Sequence, residues 1–244
     1  MYIDIILPCL NPNIGLIQTL ESLEDIKEIN KIIIIDDFSI KGIEFFKESL
    51  KYKNVILKKN IFKPGIVGAL NSGINFSDSN FIGRIDCGDI CLDKNRFRKI
   101  MEIFKTRNST DLLCSGIINE RGKKVKPNFY FLNSTILPFS RVPHPTWVFR
   151  KSSIKKTYNE TCFRFEDYAF LIDNKFKIYA LDQYDISYDT KEKMNRYVEI
   201  KVSIKKSLYY IKNSKIKIIS FFIGTIYAFL RIIRIFVSNK KIIF

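Results

Sequence analysis

The sequence predicts an α/β protein built on a doubly wound, mostly parallel sheet and ending in an amphipathic helical tail. Three observations carry that prediction. Apolar runs of strand length alternate with helical patterns four times in roughly the first hundred residues, as expected of successive βα units. One run, KIIIID at 31–36, is an almost unbroken isoleucine stretch, typical of a strand buried on both faces. Hydrophobic residues make up 46% of the 244, enough for a sizeable core in one main domain.

The first strand is read in YIDIILP, followed by a turn rich in Asn and Pro and a helix in which Ile14, Ile17, Leu20 and Leu23 fall at helical spacing. KIIIID and DFSIKGIEFFKESL form the second βα step, and NVILKK, the turn NIFKPG and the helix GIVGALNSGINF the third. NFIGRID is the fourth strand, and DKNRFRKIMEIFK the fourth helix, with Asp93 as its expected N-cap. A glutamate–aspartate pair opens a further helix in RFEDYAFLI, and TWVFRK reads as a short strand after the proline-stiffened segment RVPHP. We expect a main domain over residues 1–190 and a separate basic tail over 191–244.

Charge separates these two parts. The formal net charge is +16, yet residues 191–244 carry thirteen Lys/Arg against two acids, so the body is nearly balanced. Aromatic residues in the tail lie on its apolar side rather than between its basic residues, which argues against a nucleic-acid partner. Five scattered cysteines, without a CxxC pair, indicate neither a zinc site nor a disulfide framework and fit a reducing cytosol. The acid at position 4 and the lack of a basic leader argue that IDIILPCL is a strand, not a signal peptide.

In open parallel sheets ligands sit at the carboxyl ends of strands, which locates PCLN, DDFS and DCGD at one rim. Asp36, Asp37, Asp86 and Asp89 could therefore face one crevice, where a divalent cation or hydrogen bonds to a ribose and base would relieve their repulsion. A helix N-cap is the alternative for DDFS. There is no Gly-x-Gly-x-x-Gly and no Gly-Lys-Ser/Thr, so dinucleotide binding and a P-loop lose support.

Five blocks, ILPCLNPN, IIIIDDFS, NIFKPGIVGALNSGI, GRIDCGDICLDKNRF and FRFEDYAFLI, occur in an order and spacing that resembles the inverting family 2 glycosyltransferases, over residues 3 to about 185. The resemblance implies a GT-A, nucleotide-sugar-binding fold. It also implies a transferase that moves a sugar from a nucleotide donor, usually a uridine diphosphate sugar, to a hydroxyl acceptor. By the same resemblance Pro8 and Asn11 shape the nucleoside pocket, and Asp37, next to Asp36, hydrogen-bonds the base. Asn60, Gly65, Asn71 and Gly73 pass beneath the nucleotide, and Arg84 lies near the diphosphate.

Asp86 matches the first acid of the family's Asp-x-Asp signature, whereas Gly88 stands where the second acid, the usual metal ligand, is found. The expectation is a retained but weaker Mg or Mn site at Asp86 and Asp89, because magnesium commonly uses only one or two carboxylates alongside substrate phosphates. A turn cap is the alternative for Asp89.

Asp167 is by resemblance the general base that deprotonates the acceptor hydroxyl, with Glu166 orienting the loop or meeting the acceptor. An acid pair favoured by the helix dipole is the structural alternative. His144 borders the diphosphate or acceptor side, and Trp147 is a candidate to stack on a sugar; either residue could equally belong to the core.

In the tail, Lys217, Ser220, Gly224, Tyr227, Arg231, Arg234 and Ser238 form one helical stripe opposite an Ile, Phe and Leu face. That pattern fits a helix lying in an anionic membrane interface, with packing on the protein's own core or on a second subunit, or a tilted span with snorkelling arginines, as alternatives. It would place the enzyme at the cytoplasmic face of a cell membrane, acting on a lipid-linked or surface glycan. The rival to an enzyme is a non-catalytic scaffold of the same fold, suggested by Gly88.

Overall fold

A computed structural model describes residues 2–162, 164–188 and 195–237. Residues 191–194 of the expected tail and its stripe residue Ser238 lie outside the described residues. The chain forms two compact units. The first takes in Met1–Pro127, Val142–Tyr158 and Phe176–Thr190, and the second Asn128–Arg141, Asn159–Lys175 and Lys191–Phe244.

The strands of the first unit are β1 (Ile3–Cys9), β2 (Ile29–Asp36), β3 (Val55–Lys59), β4 (Phe81–Arg84) and β5 (Ile90–Cys91), then β6 (Leu112–Asn119) and β7 (Lys124–Val125). After β8 (Phe131–Leu132) and β9 (Thr135–Ile136) of the second unit come β10 (Val148–Arg150) and β11 (Ile178–Tyr188). The helices of the first unit are α1 (Ile14–Leu23), α2 (Ile43–Ser49), α3 (Ile66–Phe76) and α4 (Arg96–Thr106). The sheet order is β3-β2-β1-β4-β10-β6-β11-β5. Strands β3, β2, β1 and β4 run parallel, β10 is antiparallel to both β4 and β6, and β11 returns parallel to β6.

Both faces of the central strands are covered, which is why they read as continuous apolar runs. Ile3, Ile5, Leu7 and Cys9 pack with Leu16 and Leu20 of α1 and with Phe97, Ile100 and Phe104 of α4. On the opposite face α3 lies so close to β1 that a Cβ on Gly73 would come within 2.3 Å of Ile6 Cγ2. This is the doubly wound arrangement, and it places the ends of β1, β2 and β4 on one rim.

Asp4 is wholly buried in β1, yet its carboxylate accepts hydrogen bonds from Asn30 Nδ2, from the Ser77 and Ser79 hydroxyls and from the Asp78 and Ser79 amides. A buried charge is stable when its lone pairs are filled in this way. One boundary differs from expectation. Helix α4 starts at Arg96, and Asp93 instead accepts from the Asn95 amide in the turn before it, so Asp93 shapes the approach rather than capping the helix.

The second unit contains the β8–β9 hairpin and three helices: α5 (Glu166–Asn174), α6 (Arg196–Asn213) and α7 (Lys217–Val237). Helix α7 has 21 residues and is, by length and composition, apolar enough to cross a membrane. The middle of its polar stripe does not face outward, while Lys217 and Arg234 at its ends are exposed. Ser220 and Gly224 are buried, a Cβ on Gly224 would meet Ser207 and Ile211 of α6, and Arg231 donates to Glu199 Oε1 at 2.6 Å. Small residues let the two backbones approach closely, so the stripe becomes the seam of a helical hairpin. The outward face carries exposed Phe222, Phe229 and Phe236, an apolar patch of the kind that marks a membrane or partner surface.

Candidate active site

The rim of the first unit is built from three clamped turns. The first joins the loops after β1 and β2. Pro8 is buried in β1 opposite Ile35, while Asn11, at φ 50°, accepts from the Ile40 and Lys41 amides and donates its own amide to Ser39 Oγ. Asparagine tolerates this left-handed conformation and closes such turns with its side chain. Asp36 accepts from the Ser39 amide at 2.9 Å, so its side chain closes DDFS at the strand end by bonding three residues on.

Asp37 organises the second turn. Its two oxygens accept from the Gly65 amide at 2.9 Å, and Oδ1 also accepts from Asn60 Nδ2 at 2.7 Å. Gly65 lies at φ 120°, a conformation open to glycine, and leads directly into α3. Asn60 continues the network by accepting from the Phe62 amide and from Ser72 Oγ. Three of the carboxylate's roughly four acceptor positions are thus used, leaving it able to take one further donor.

The third turn carries the acids at the end of β4. The Asp89 amide donates to the Asp86 carbonyl at 3.0 Å, closing a tight turn with Gly88 at φ 99°, and the Gly88 amide donates to Thr19 Oγ1 of α1. Positive φ at the third position of a turn favours glycine. Gly88 also touches α1, since a Cβ on Gly15 would lie 3.1 Å from its Cα. An aspartate at 88 would therefore be strained in this turn.

Asp86 is held by its neighbour two residues back. Arg84 Nε donates to Oδ1 at 2.7 Å and Nη2 to Oδ2 at 2.9 Å, a two-pronged ion pair with a largely buried guanidinium. Arg84 Nη1 lies against both ring nitrogens of His144, 2.8 Å from Nε2, which is also 2.8 Å from the Tyr158 hydroxyl. Asn71 secures Tyr158 by donating to its carbonyl and accepting from its amide. His144 itself stands on a single 3-10 turn whose Thr146 hydroxyl donates to Pro143 and accepts from the Ser115 amide, while Arg96 donates to the Thr146 carbonyl.

Burial, reinforced by the Arg84 charge, pushes the His144 pKa well below the usual histidine value, so the ring is neutral. The unfolded ring protonates near pH 6.5, whereas the folded ring does so only at lower pH. Below about pH 6.5 the unfolded state therefore binds more protons, and stability falls as the pH is lowered, at up to about 1.4 kcal/mol per unit. Denaturant titrations at stepped pH are expected to show this slope in the wild type and a flatter one in His144→Gln.

Trp147 is 0% exposed, with its ring 4.3 Å from that of His144. It supports the histidine from the core and offers no face to a sugar, the reverse of the stacking expectation. Tyr158, which sequence reasoning passed over, is a partner of His144, and nothing in KTYNE distinguishes it from an ordinary surface tyrosine.

A divalent cation fits this donor set poorly. Each Asp86 oxygen already accepts from the cationic Arg84, Asp89 is only 1% exposed, and Gly88 supplies no carboxylate. Among the described residues no cluster of three or more His, Cys, Asp or Glu could hold a metal ion. The positive charge beside Asp86 is the fixed guanidinium of Arg84.

Glu166 and Asp167 belong to the second unit, in the first turn of α5, and both are partly exposed. Asp167 Oδ1 accepts from the Tyr168 amide at 2.6 Å. Tyr168 is buried and donates its hydroxyl to the Ile136 carbonyl, anchoring the helix start.

The sequence pattern described as Glycosyl transferase family 2 matches residues 4–177. No curated protein matches the chain. Among solved structures, S. aureus TarS 1-349 superposes with a TM-score of 0.67 at 17% identity, over 90% of this chain and 68% of that one. TarS 1-349 in complex with UDP-GlcNAc gives 0.66 at 16% identity, covering 90% and 69%. The mannosyltransferase PcManGT from Pyrobaculum calidifontis, in complex with GDP-Man and Mn2+, gives 0.62 at 9% identity over 86% and 63%. At such identities the likeness is one of fold, GT-A, while the family rests on the sequence match across most of the chain. This protein is a glycosyltransferase and belongs to glycosyl transferase family 2.

Proposed function

We propose that the protein is an inverting transferase that takes a sugar from a uridine diphosphate sugar and attaches it to a hydroxyl of a lipid-linked or surface glycan. The observation that carries this reading is the rim of the first unit, where one carboxylate, Asp37, retains acceptor capacity beside a backbone turn and a buried guanidinium, Arg84, stands at the next strand end. Asp37 accepts from the base, and Asp86 keeps lone pairs for a ribose hydroxyl while orienting Arg84. Pro8, Asn11, Asp36, Gly65 and Asn71 act through the backbone they hold.

In the reaction the acceptor oxygen attacks the anomeric carbon as its bond to the diphosphate oxygen breaks. Asp167 takes the hydroxyl proton, and Arg84 stabilises the charge that gathers on the departing diphosphate. One displacement inverts the configuration. His144, neutral, holds Arg84 from behind. A Mg or Mn ion, where one assists, supplies further positive charge at the diphosphate, but Asp86 and Asp89 do not form its seat as they stand.

In this reading residues 1–190 form the glycosyltransferase domain. The 191–244 tail holds it against the anionic inner face of a membrane, with the outward face of α7 in the interface. TarS has been solved with UDP and with UDP-GlcNAc, which supports uridine diphosphate sugars as the donors to try first.

A thermal-shift screen of nucleotide diphosphates and nucleotide sugars, with and without manganese, tests the donor reading, because a ligand that binds only the native state raises its apparent stability. Uridine diphosphate is expected to raise the midpoint without metal, and manganese to add little. No shift under either condition would remove the donor assignment.

A further inference from the structure

A second pocket lies in the second unit, lined by none of the residues assigned above to donor or base, though Lys206 in its wall feels the charge of Asp167. The Pro138–Arg141 loop, α6 and α7 enclose a cavity of about 560 Å³. Four of its lining residues are cations, Arg141, Lys206, Arg231 and Arg234, and no acid lines it. Its remaining wall is largely apolar, including Phe139, Ile226 and Leu230, and opens beside the exposed hydrophobic face of α7. Glu199 pairs with Arg231 at 2.6 Å.

We propose that this cavity binds the phosphate headgroup of an anionic membrane phospholipid, with the acyl chain running along Ile226 and Leu230 onto the outer face of α7. The inference rests on the proposed membrane association of the tail and gives it a discrete site. Basic residues grouped over an apolar wall match an amphiphile with one anionic end, whereas a nucleic acid would require a hydrated basic surface.

The Lys206 ammonium lies 4.3 Å from the centre of the Tyr168 ring and 5.6 Å from that of Tyr227, a cation–π contact with both. Burial lowers its pKa to about 8, Arg231 pushes the same way, and Asp167 opposes them. An arriving phosphate adds negative charge to that of Glu199 and Asp167 and raises the pKa of the amine again. Because Tyr168 follows Asp167 on α5, an occupied cavity also stiffens the helix that carries the base.

The test compares two double variants that remove the same charge from different places. Arg141→Gln/Arg234→Gln alters the cavity, and Lys201→Gln/Lys205→Gln alters exposed tail positions that do not line it. Co-sedimentation is measured on vesicles of phosphatidylcholine alone and of phosphatidylcholine mixed with phosphatidylglycerol. The wild type is expected to bind only the mixed vesicles, with the cavity pair reducing affinity roughly tenfold or more and the control pair much less.

Equal losses in the two variants would overturn the discrete site in favour of diffuse attraction. Stabilisation by inorganic phosphate without binding to mixed vesicles would assign the cavity to a free anion and overturn the lipid. Absence of wild-type binding would overturn the membrane reading itself. In every case the uridine diphosphate thermal shift reports separately on the donor assignment.

Discussion

Asp167→Asn is expected to lower glycosyl transfer by about 10²–10⁴-fold, the usual contribution of a positioned general base. Asparagine keeps the size of the side chain and an oxygen that can still accept from the Tyr168 amide, so the first turn of α5 should hold its shape. What it loses is the capacity to take a proton. The acceptor hydroxyl, with a pKa far above neutrality, then reaches the transition state without a partner for its proton, and the turnover number falls while nucleotide binding persists.

Initial rates at saturating donor, together with the uridine diphosphate thermal shift, separate these effects. An intact shift with lost turnover supports Asp167 as base, whereas wild-type turnover in the variant would move that role elsewhere. Nucleotide-sugar hydrolysis by the wild type that disappears in the variant would also dispose of the scaffold reading. Glu166→Gln, beside it in the same turn, is the natural comparison, and the larger loss should fall on Asp167.

The sheet was legible because its signal is local. Ile32 to Ile35 are all buried, as an unbroken isoleucine run requires, and β1 to β4 fall where alternation of strand and helix patterns placed them. The Gly88 departure was equally legible as a residue type. The strain on a side chain there was not, since positive φ and the contact with α1 arise from residues 69 to 73 positions away in the chain.

Asp37 was read at the end of the second strand, where it stands, yet its bond to Gly65 depends on how the loop between β3 and α3 folds back. His144 and Trp147 carry similar sequence signals, but one meets Arg84 and the other lies under the core, a distinction that only packing makes. The tail shows the sharpest limit. Spacing revealed a polar stripe on α7, but spacing cannot say whether water, headgroups or another helix covers it. Here α6 covers its middle with Ser207 and Ile211, and the apolar face is left outward.

Arg84→Met is expected to cost both stability and turnover, and the ratio of the two identifies its role. The substitution removes two charge-assisted hydrogen bonds to Asp86 and the contact with His144, for a loss of roughly 1–3 kcal/mol in denaturant titration. If Arg84 also meets the leaving diphosphate, turnover should fall by about 10²–10³-fold at saturating donor, the range for deleting one donor aimed at developing negative charge. Arg84→Lys discriminates further. Lysine restores the charge but not the planar fork, so it should recover part of the stability and little of the rate.

The histidine supplies an independent readout. With the guanidinium gone, one of the two causes depressing His144 disappears while burial remains, so its pKa should rise towards the ordinary value. The pH dependence of stability should then weaken in Arg84→Met. A variant that loses stability and pH dependence but keeps wild-type turnover would make Arg84 a structural brace for Asp86 and His144. Full loss of turnover, with nucleotide still bound, would place the guanidinium in the reaction and explain how this rim works with a glycine where a second metal-binding acid is usual.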